Sequence, residues 1–136
     1  MNKKGFTLLE VMIVVIIVGI LSSVALPQYI TTLEKGKSAE AVTNIGSLRT
    51  SLDRYWYQNA AGTTDIDDLD VDNPNTVTNR LYQYAITVNS CTSTARIYTM
   101  KAERIGKESE YWVQWTQTSN AAGKLTRSAK LGGPTS

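Results

Sequence analysis

The residue of this sequence with the clearest chemical potential is Glu10, a carboxylate inside an apolar run that begins at Phe6. A charge near the middle of a bilayer costs on the order of 2.5 to 3.5 kcal/mol on insertion scales, so an acid retained there predicts a function and a partner. Gly5 precedes the run and Pro27 follows it. We therefore expect Glu10 to have a functional role and a partner that compensates for its charge.

Catalytic or metal chemistry has few candidates elsewhere in the chain. The 136 residues include no histidine and one cysteine, Cys91, which excludes an intrachain disulfide, the usual zinc sites and every His-dependent triad. The segment that starts at Asp68 is similar to a calcium loop, but Asn73 and Asn79 stand where that loop needs glycine and glutamate. The sequence therefore predicts no metal, no cofactor and no enzymatic activity.

The charge balance does not indicate a nucleic-acid partner. The chain has 14 Lys and Arg against 12 Asp and Glu, and two of the bases, Lys3 and Lys4, precede the apolar run. The remaining 12 bases equal the 12 acids, and the tail bases Lys124, Arg127 and Lys130 are too few and too scattered to argue for DNA binding. The length allows one domain with one modest core.

The apolar run is long enough to cross a membrane. Phe6 to Leu26 covers 21 residues, interrupted only by Thr7, Glu10 and two serines, and about 20 residues span a bilayer as a helix. The lysines before the run predict that the N-terminus stays in the cytoplasm and that everything after Pro27 is exported.

A cleaved secretory signal is the alternative interpretation of this segment. Ser23-Val24-Ala25 has the small residues of a signal-peptidase site, and cleavage there would release a soluble protein that begins at Leu26. The acid at Glu10 and the proline at position 27, second after that cut, both argue against it.

The stretch KKGFTLLE at residues 3–10, with the apolar run and the proline that follow, resembles the leader of bacterial type IV pilins and type II secretion pseudopilins. The resemblance is specific over residues 3–27 and becomes loose after about residue 57. It implies that a prepilin peptidase removes residues 1–5 by cutting between Gly5 and Phe6 and methylates the new amine of Phe6. The helix then stays attached as an anchor.

The resemblance also implies a partner for Glu10. Cleavage creates an amine at Phe6 with a reference pKa near 7.7 to 8.0, and Glu10 would neutralise that amine on a neighbouring subunit. Such a pair exists in one axial register, so it selects register more than it adds stability. Thr7 either hydrogen-bonds near this junction or is an ordinary helix-end hydroxyl. Gly19 and Pro27 either mark a segment that unwinds in a filament or are tolerated irregularities.

These residues depend on one long helix for their placement. We expect a helix from Phe6 to about Tyr57, with a hydrophobic transmembrane part at 6–27 and an amphipathic part at 28–57. In the second part apolar residues recur at spacings of 4, 3, 4 and 3, the pattern of one helix face. They are Ala41, Ile45, Leu48, Leu52 and Tyr55. This stripe is expected to pack on a sheet.

The remainder of the sequence predicts a loop and an antiparallel sheet. Residues 58–80 form a connecting loop that buries Ile66, Leu69 and Val71, and strands are expected at 81–88, 95–102 and 111–116, with a possible edge strand at 124–128. Cys91 is placed in the turn 89–94, and the tail 132–136 is expected to fray. The fold class is α+β: a long N-terminal helix packed on a small antiparallel sheet head at 81–136, the pilin fold.

The resemblance implies a structural protein. The chain is predicted to sit in the inner membrane and then to polymerise with identical copies into a cell-surface type IV pilus, helped by the prepilin peptidase and an assembly ATPase with its membrane platform. One alternative is a major pseudopilin of type II secretion; that class usually has a calcium site near its C-terminus, whereas residues 117–136 contain no Asp or Glu. Another is an exported binding module that never polymerises.

Overall fold

The computed structural model of the chain describes residues 5–118 and 122–134. It contains one α-helix, α1 (Leu8–Asn59), and four strands: β1 (Tyr82–Cys91), β2 (Arg96–Arg104), β3 (Trp112–Gln117) and β4 (Lys124–Arg127). Short 3-10 helices lie at Pro74–Thr76 and Ala129–Leu131. The chain divides into two compact units, Met1–Leu33 and Glu34–Ser136. The predicted α+β class, with one long N-terminal helix and a small antiparallel sheet, is confirmed.

The described part of the first unit consists of α1 as far as Leu33 and the few residues before the helix, and almost all of it is exposed. Every residue from 5 to 30 is exposed, including the whole apolar run. Among the described residues, α1 is the helix whose length and composition would let it cross a membrane. The apolar run therefore has no covering surface within its own unit.

Helix α1 continues without interruption through Gly19 and Pro27. Proline has no N–H to donate to the carbonyl four residues earlier, which weakens a helix at that point. The hydroxyl of Ser23 donates to the Ile20 carbonyl at 2.7 Å, and that of Thr31 donates to the Pro27 carbonyl at 3.0 Å. Unwinding of this segment was predicted for the packed filament, and it stays a prediction.

The second unit has a core built from one face of α1 and one face of the sheet. The predicted stripe is buried at Ala41, Ile45, Leu48 and Leu52, while Tyr55 is half-buried at its margin. Strands contribute alternate residues because successive side chains point to opposite faces. The buried hydrophobic residues of the strands are Tyr82, Tyr84, Ile86, Tyr98, Met100, Ala102 and Val113. Ile66 and Leu69 of the loop are buried in the same cluster, and Val71 packs partly buried against it.

The sheet is an antiparallel meander in the order β1-β2-β3-β4. All four predicted strands are present, but β1 is longer than expected. The β1–β2 register shifts between Val88 and Ser90, and beyond this irregularity Cys91 still pairs with Arg96. The placement of Cys91 in a turn was therefore wrong, because a bulge lets a strand continue past a residue that would otherwise end the ladder.

The C-terminal tail is held more firmly than the sequence suggested. Leu131 is buried, Gly132 adopts a left-handed φ of 87°, and the Gly133 N–H donates to the Ser128 carbonyl at 2.9 Å. The expectation of a frayed tail was wrong as far as Gly133, since burial of one leucine anchors the turn that follows it. Residues 135–136 lie outside the described residues.

A buried acid that sequence reasoning missed joins α1 to the sheet within the second unit. Glu34 is 4% exposed and accepts from Lys37 Nζ at 3.0 Å and from Arg104 Nε at 3.2 Å. Arg104 also donates to the Leu81 carbonyl at 2.9 Å. Burial raises the pKa of Glu34, but the hydrogen bonds from Lys37 and Arg104 outweigh burial and leave that pKa below its ordinary value.

Replacing Arg104 by methionine should lower the free energy of unfolding by about 3 kcal/mol, because it leaves a buried carboxylate with one partner fewer. Unfolding of the detergent-solubilised chain, followed by tryptophan fluorescence, measures this loss. Because folding lowers the pKa of Glu34, ionised Glu34 stabilises the folded state. This stabilisation is fully present above the unfolded pKa of about 4.3 and is lost as the pH falls through the folded pKa. The difference in the free energy of unfolding between the wild type and the variant should therefore become smaller in that acidic range.

The matched control is Lys35→Met, which removes an exposed base one residue away on the same helix. It should change stability by only a few tenths of a kcal/mol, as surface substitutions usually do. Equal losses in the two variants would contradict the assigned role of Arg104.

Candidate processing and assembly site

The N-terminus of α1 is closed by a reciprocal contact between Thr7 and Glu10. Thr7 immediately precedes the helix, and Glu10 is its third residue. The backbone N–H and the hydroxyl of Thr7 donate to Glu10 Oε2 at 2.8 and 2.7 Å, and the Glu10 N–H donates back to Thr7 Oγ1 at 3.3 Å. This is the capping box of a Thr-x-x-Glu sequence. The helix therefore begins at Leu8 and not at Phe6, and Thr7 is a helix-end hydroxyl.

The capping box occupies only part of the Glu10 carboxylate. Both Thr7 donors meet Oε2, whereas Oε1 accepts no hydrogen bond from the described residues. The side chain is exposed, and it lies at the helix end where the backbone dipole favours negative charge. Glu10 is thus held in place by its own turn and keeps one oxygen available for a cation outside the chain.

The predicted cleavage position lies in an accessible, non-helical segment. Gly5, Phe6 and Thr7 precede the helix, and Phe6 is 88% exposed. A Cβ placed on Gly5 would meet no atom within 4 Å, so packing within the chain does not require glycine there. The three residues and Glu10 line one open depression of about 430 Å³. The bond predicted to be cleaved and the Glu10 carboxylate are therefore neighbours at the helix end.

Gly19 and Pro27 are not brought to this site. Gly19 lies nine residues along the helix from Glu10, which corresponds to roughly 14 Å at 1.5 Å per residue. A Cβ on Gly19 would also meet no atom within 4 Å. Neither residue contacts the capping box, so their predicted role concerns the helix itself.

The acidic loop between α1 and β1 is organised by protein contacts. Asp70 accepts hydrogen bonds from Ser51 and from Arg54, the latter at 2.7 Å, and these lower the Asp70 pKa to about 2, with Arg54 the larger cause. Thr63 donates to Asp68 at 2.6 Å. Among residues 5–118 and 122–134 no group of three His, Cys, Asp or Glu side chains is placed to hold a metal ion.

Comparison with known proteins finds a family match at the N-terminus and relatives that are similar to part of the chain. The family described as the prokaryotic N-terminal methylation motif matches residues 1–26. The type II secretion system core protein G of Vibrio cholerae is 46% identical over 59 residues, 43% of this chain and 40% of that protein. Its counterpart in Aeromonas hydrophila is 43% identical over 58 residues, 43% of this chain and 41% of that one.

A fimbrial protein is also similar to part of the chain. The type IV major fimbrial protein FimA of Dichelobacter nodosus is 41% identical over 51 residues, 38% of this chain and 33% of that protein. No solved structure matches the chain at a comparable level. The match thus spans about 40% or less of the length of these relatives. The N-terminal segment carries the prokaryotic N-terminal methylation motif, and the resemblance to pilins and pseudopilins seen in the sequence is confirmed.

Proposed function

We propose that the chain is the structural subunit of a type IV pilus-like filament. A prepilin peptidase cuts between Gly5 and Phe6 and methylates Phe6, and the remaining helix anchors the subunit in the inner membrane. Identical copies then leave the membrane and assemble through these helices into a cell-surface filament. An assembly ATPase and its membrane platform drive that step, so the chain is a substrate and a building block and not a catalyst.

The observation that carries this proposal is the full exposure of the apolar run. Residues 6–26 find no cover within their unit, yet burial of a Leu or Ile side chain is worth about 1.5 to 3 kcal/mol. Lipid can provide that burial before assembly, and helices of neighbouring copies can provide it afterwards. A helix that stayed in lipid throughout would leave the acid within the run unexplained.

Glu10 supplies the reason to expect polymerisation and not simple anchoring. In a bundle of such helices its uncapped Oε1 can accept from the protonated Phe6 amine of a neighbour, and neither charge is then left alone in apolar surroundings. A monomeric anchor would carry the cost of the acid without this compensation. The filament interpretation therefore accounts for both Gly5 and Glu10.

A major pseudopilin of type II secretion is the second candidate, favoured by the similarity to two core G proteins. Pseudopilins of the resembled family usually hold calcium near the C-terminus, whereas residues 117–136 contain no Asp or Glu. Deleting the gene separates the two candidates. Loss of surface filaments with normal secretion supports the pilus, and loss of secreted proteins from the medium supports the pseudopilus.

The direct test is the intact mass and the N-terminal residue of the protein in material sheared from cell surfaces. We expect a chain that starts at Phe6 and carries one added methyl group. A chain that starts at Leu26 would indicate an ordinary signal peptide and a soluble domain, and would contradict the proposal. Recovery of the protein only as detergent-extracted monomers would indicate a tethered binding module.

A further inference from the structure

A cleft in the second unit lies beside the tail and is lined by none of the residues used in the proposed function. Its volume is about 620 Å³, within the range of small-molecule sites. It is lined by the turn before β3, the beginning of β3, the end of β4 and the segment that follows β4. Glu110, Trp112, Arg127, Ser128, Lys130 and Pro134 are the lining residues that matter here. We call it the tail cleft.

Backbone contacts shape the tail cleft. The Ser128 N–H donates to the Trp112 carbonyl at 3.0 Å, and the Ser128 carbonyl accepts from Leu131 and Gly133 at 3.0 and 2.9 Å. A Cβ on Gly133 would collide with the backbone carbonyl of Arg127, so only glycine lets the tail approach this closely. The walls are therefore preformed, which reduces the ordering cost of binding.

Among the described residues, one cation that lines the tail cleft forms no ion pair. Lys130 Nζ lies 2.7 Å from Glu110 Oε2, so these two charges balance each other. Arg127 forms no ion pair with any residue of 5–118 or 122–134. A guanidinium offers several N–H donors in a planar fork that matches a carboxylate. The cleft is therefore suited to a ligand with a single negative charge.

The other lining groups favour a sugar. Trp112 is half-buried, with Lys101 Nζ 5.8 Å from its ring centroid, and its remaining exposed surface is of the kind on which apolar ring faces pack. The Glu110 and Lys130 pair provides an acceptor and a donor at the rim. The Ser128 hydroxyl is buried without a hydrogen-bond partner among the described residues, and buried polar groups are generally paired with protein, water or ligand.

We propose that the tail cleft binds an acidic saccharide, a pyranose unit carrying a carboxylate. The carboxylate pairs with Arg127, the apolar face of the sugar ring packs on Trp112, and sugar hydroxyls contact the Glu110 and Lys130 pair. This site gives the second unit a recognition function that does not depend on polymerisation.

The test uses the full-length chain in detergent micelles and an oligogalacturonate as the probe, with the neutral galactose oligomer for comparison. The chain has three tryptophans, Trp56, Trp112 and Trp115, so their indole N–H signals can be resolved in a proton–nitrogen correlation spectrum. We expect the Trp112 signal to shift with oligogalacturonate and the other two to stay in place. The neutral oligomer should bind at least several-fold more weakly.

Arg127→Gln should weaken oligogalacturonate binding about tenfold, because a hydrogen bond to a charged group is lost. Lys124→Gln is the matched control: it removes an exposed base on the same strand that does not line the tail cleft. Affinity should be unchanged in that variant. Equal affinities of the wild type and Arg127→Gln, shifts centred on Trp56 or Trp115, or no binding of oligogalacturonate at millimolar concentration would each overturn the proposal.

Discussion

Cells expressing Gly5→Val are expected to retain the full-length chain in the membrane and to make no filaments from it. A peptidase that cuts after glycine has a subsite fitted to a residue without a side chain, and a branched side chain next to the scissile bond obstructs it. The chain itself tolerates the change, since Gly5 has open space around it and lies before the helix. Intact mass of the membrane fraction distinguishes residues 1–136 from the product that starts at Phe6. Gly5→Ala should act in the same direction.

The control for this prediction is Gly36→Val, on the exposed surface of α1. Gly36 has the same open surroundings as Gly5 but is 31 residues further along the chain. The variant should be cleaved normally, and its helix should not be weakened, because valine has a somewhat higher helix propensity than glycine. Normal cleavage of Gly5→Val would refute the assigned site.

Glu10→Gln is expected to leave cleavage and membrane insertion intact and to reduce filament yield at least tenfold. Glutamine can still accept from Thr7, because a capping box works with Glu or Gln. What it lacks is the negative charge that neutralises the Phe6 amine of a neighbouring subunit. Filament yield in the sheared fraction, normalised to the amount of processed subunit in the membrane, measures the effect.

Three companion variants separate charge from helix capping. Glu10→Ala removes both and should be as defective as Glu10→Gln. Thr7→Val removes the capping hydroxyl and keeps the charge, so it should cost only about 1 kcal/mol of local helix stability and assemble far better. Glu40→Gln, at another exposed acid of α1, should assemble as the wild type does. Normal assembly of Glu10→Gln beside failure of Glu10→Ala would assign Glu10 to capping alone.

Local patterns in the sequence were sufficient to predict the helix and the strands, although not their exact ends. The stripe from Ala41 to Leu52 is buried as its spacing predicts, and the helix ends at Asn59, two residues beyond the predicted end. The predicted start of the helix, Phe6, was two residues too early, because Thr7 and Glu10 form a cap whose sequence signature was overlooked. The same stripe extends back to Glu34 and Ser38 at spacings of 4 and 3, a signal that could have revealed the buried acid.

By itself, the sequence was sufficient to predict a membrane anchor and a processing site, because the residues of each are contiguous and their chemistry depends on residue type and order within one segment. Only the tertiary structure decided which charges pair and where a cleft forms. Glu34 and Arg104 are 70 residues apart, and the tail cleft joins residues from 109 to 134. Such contacts depend on strand register and on turns, and a bulge of one residue shifts all the pairings beyond it.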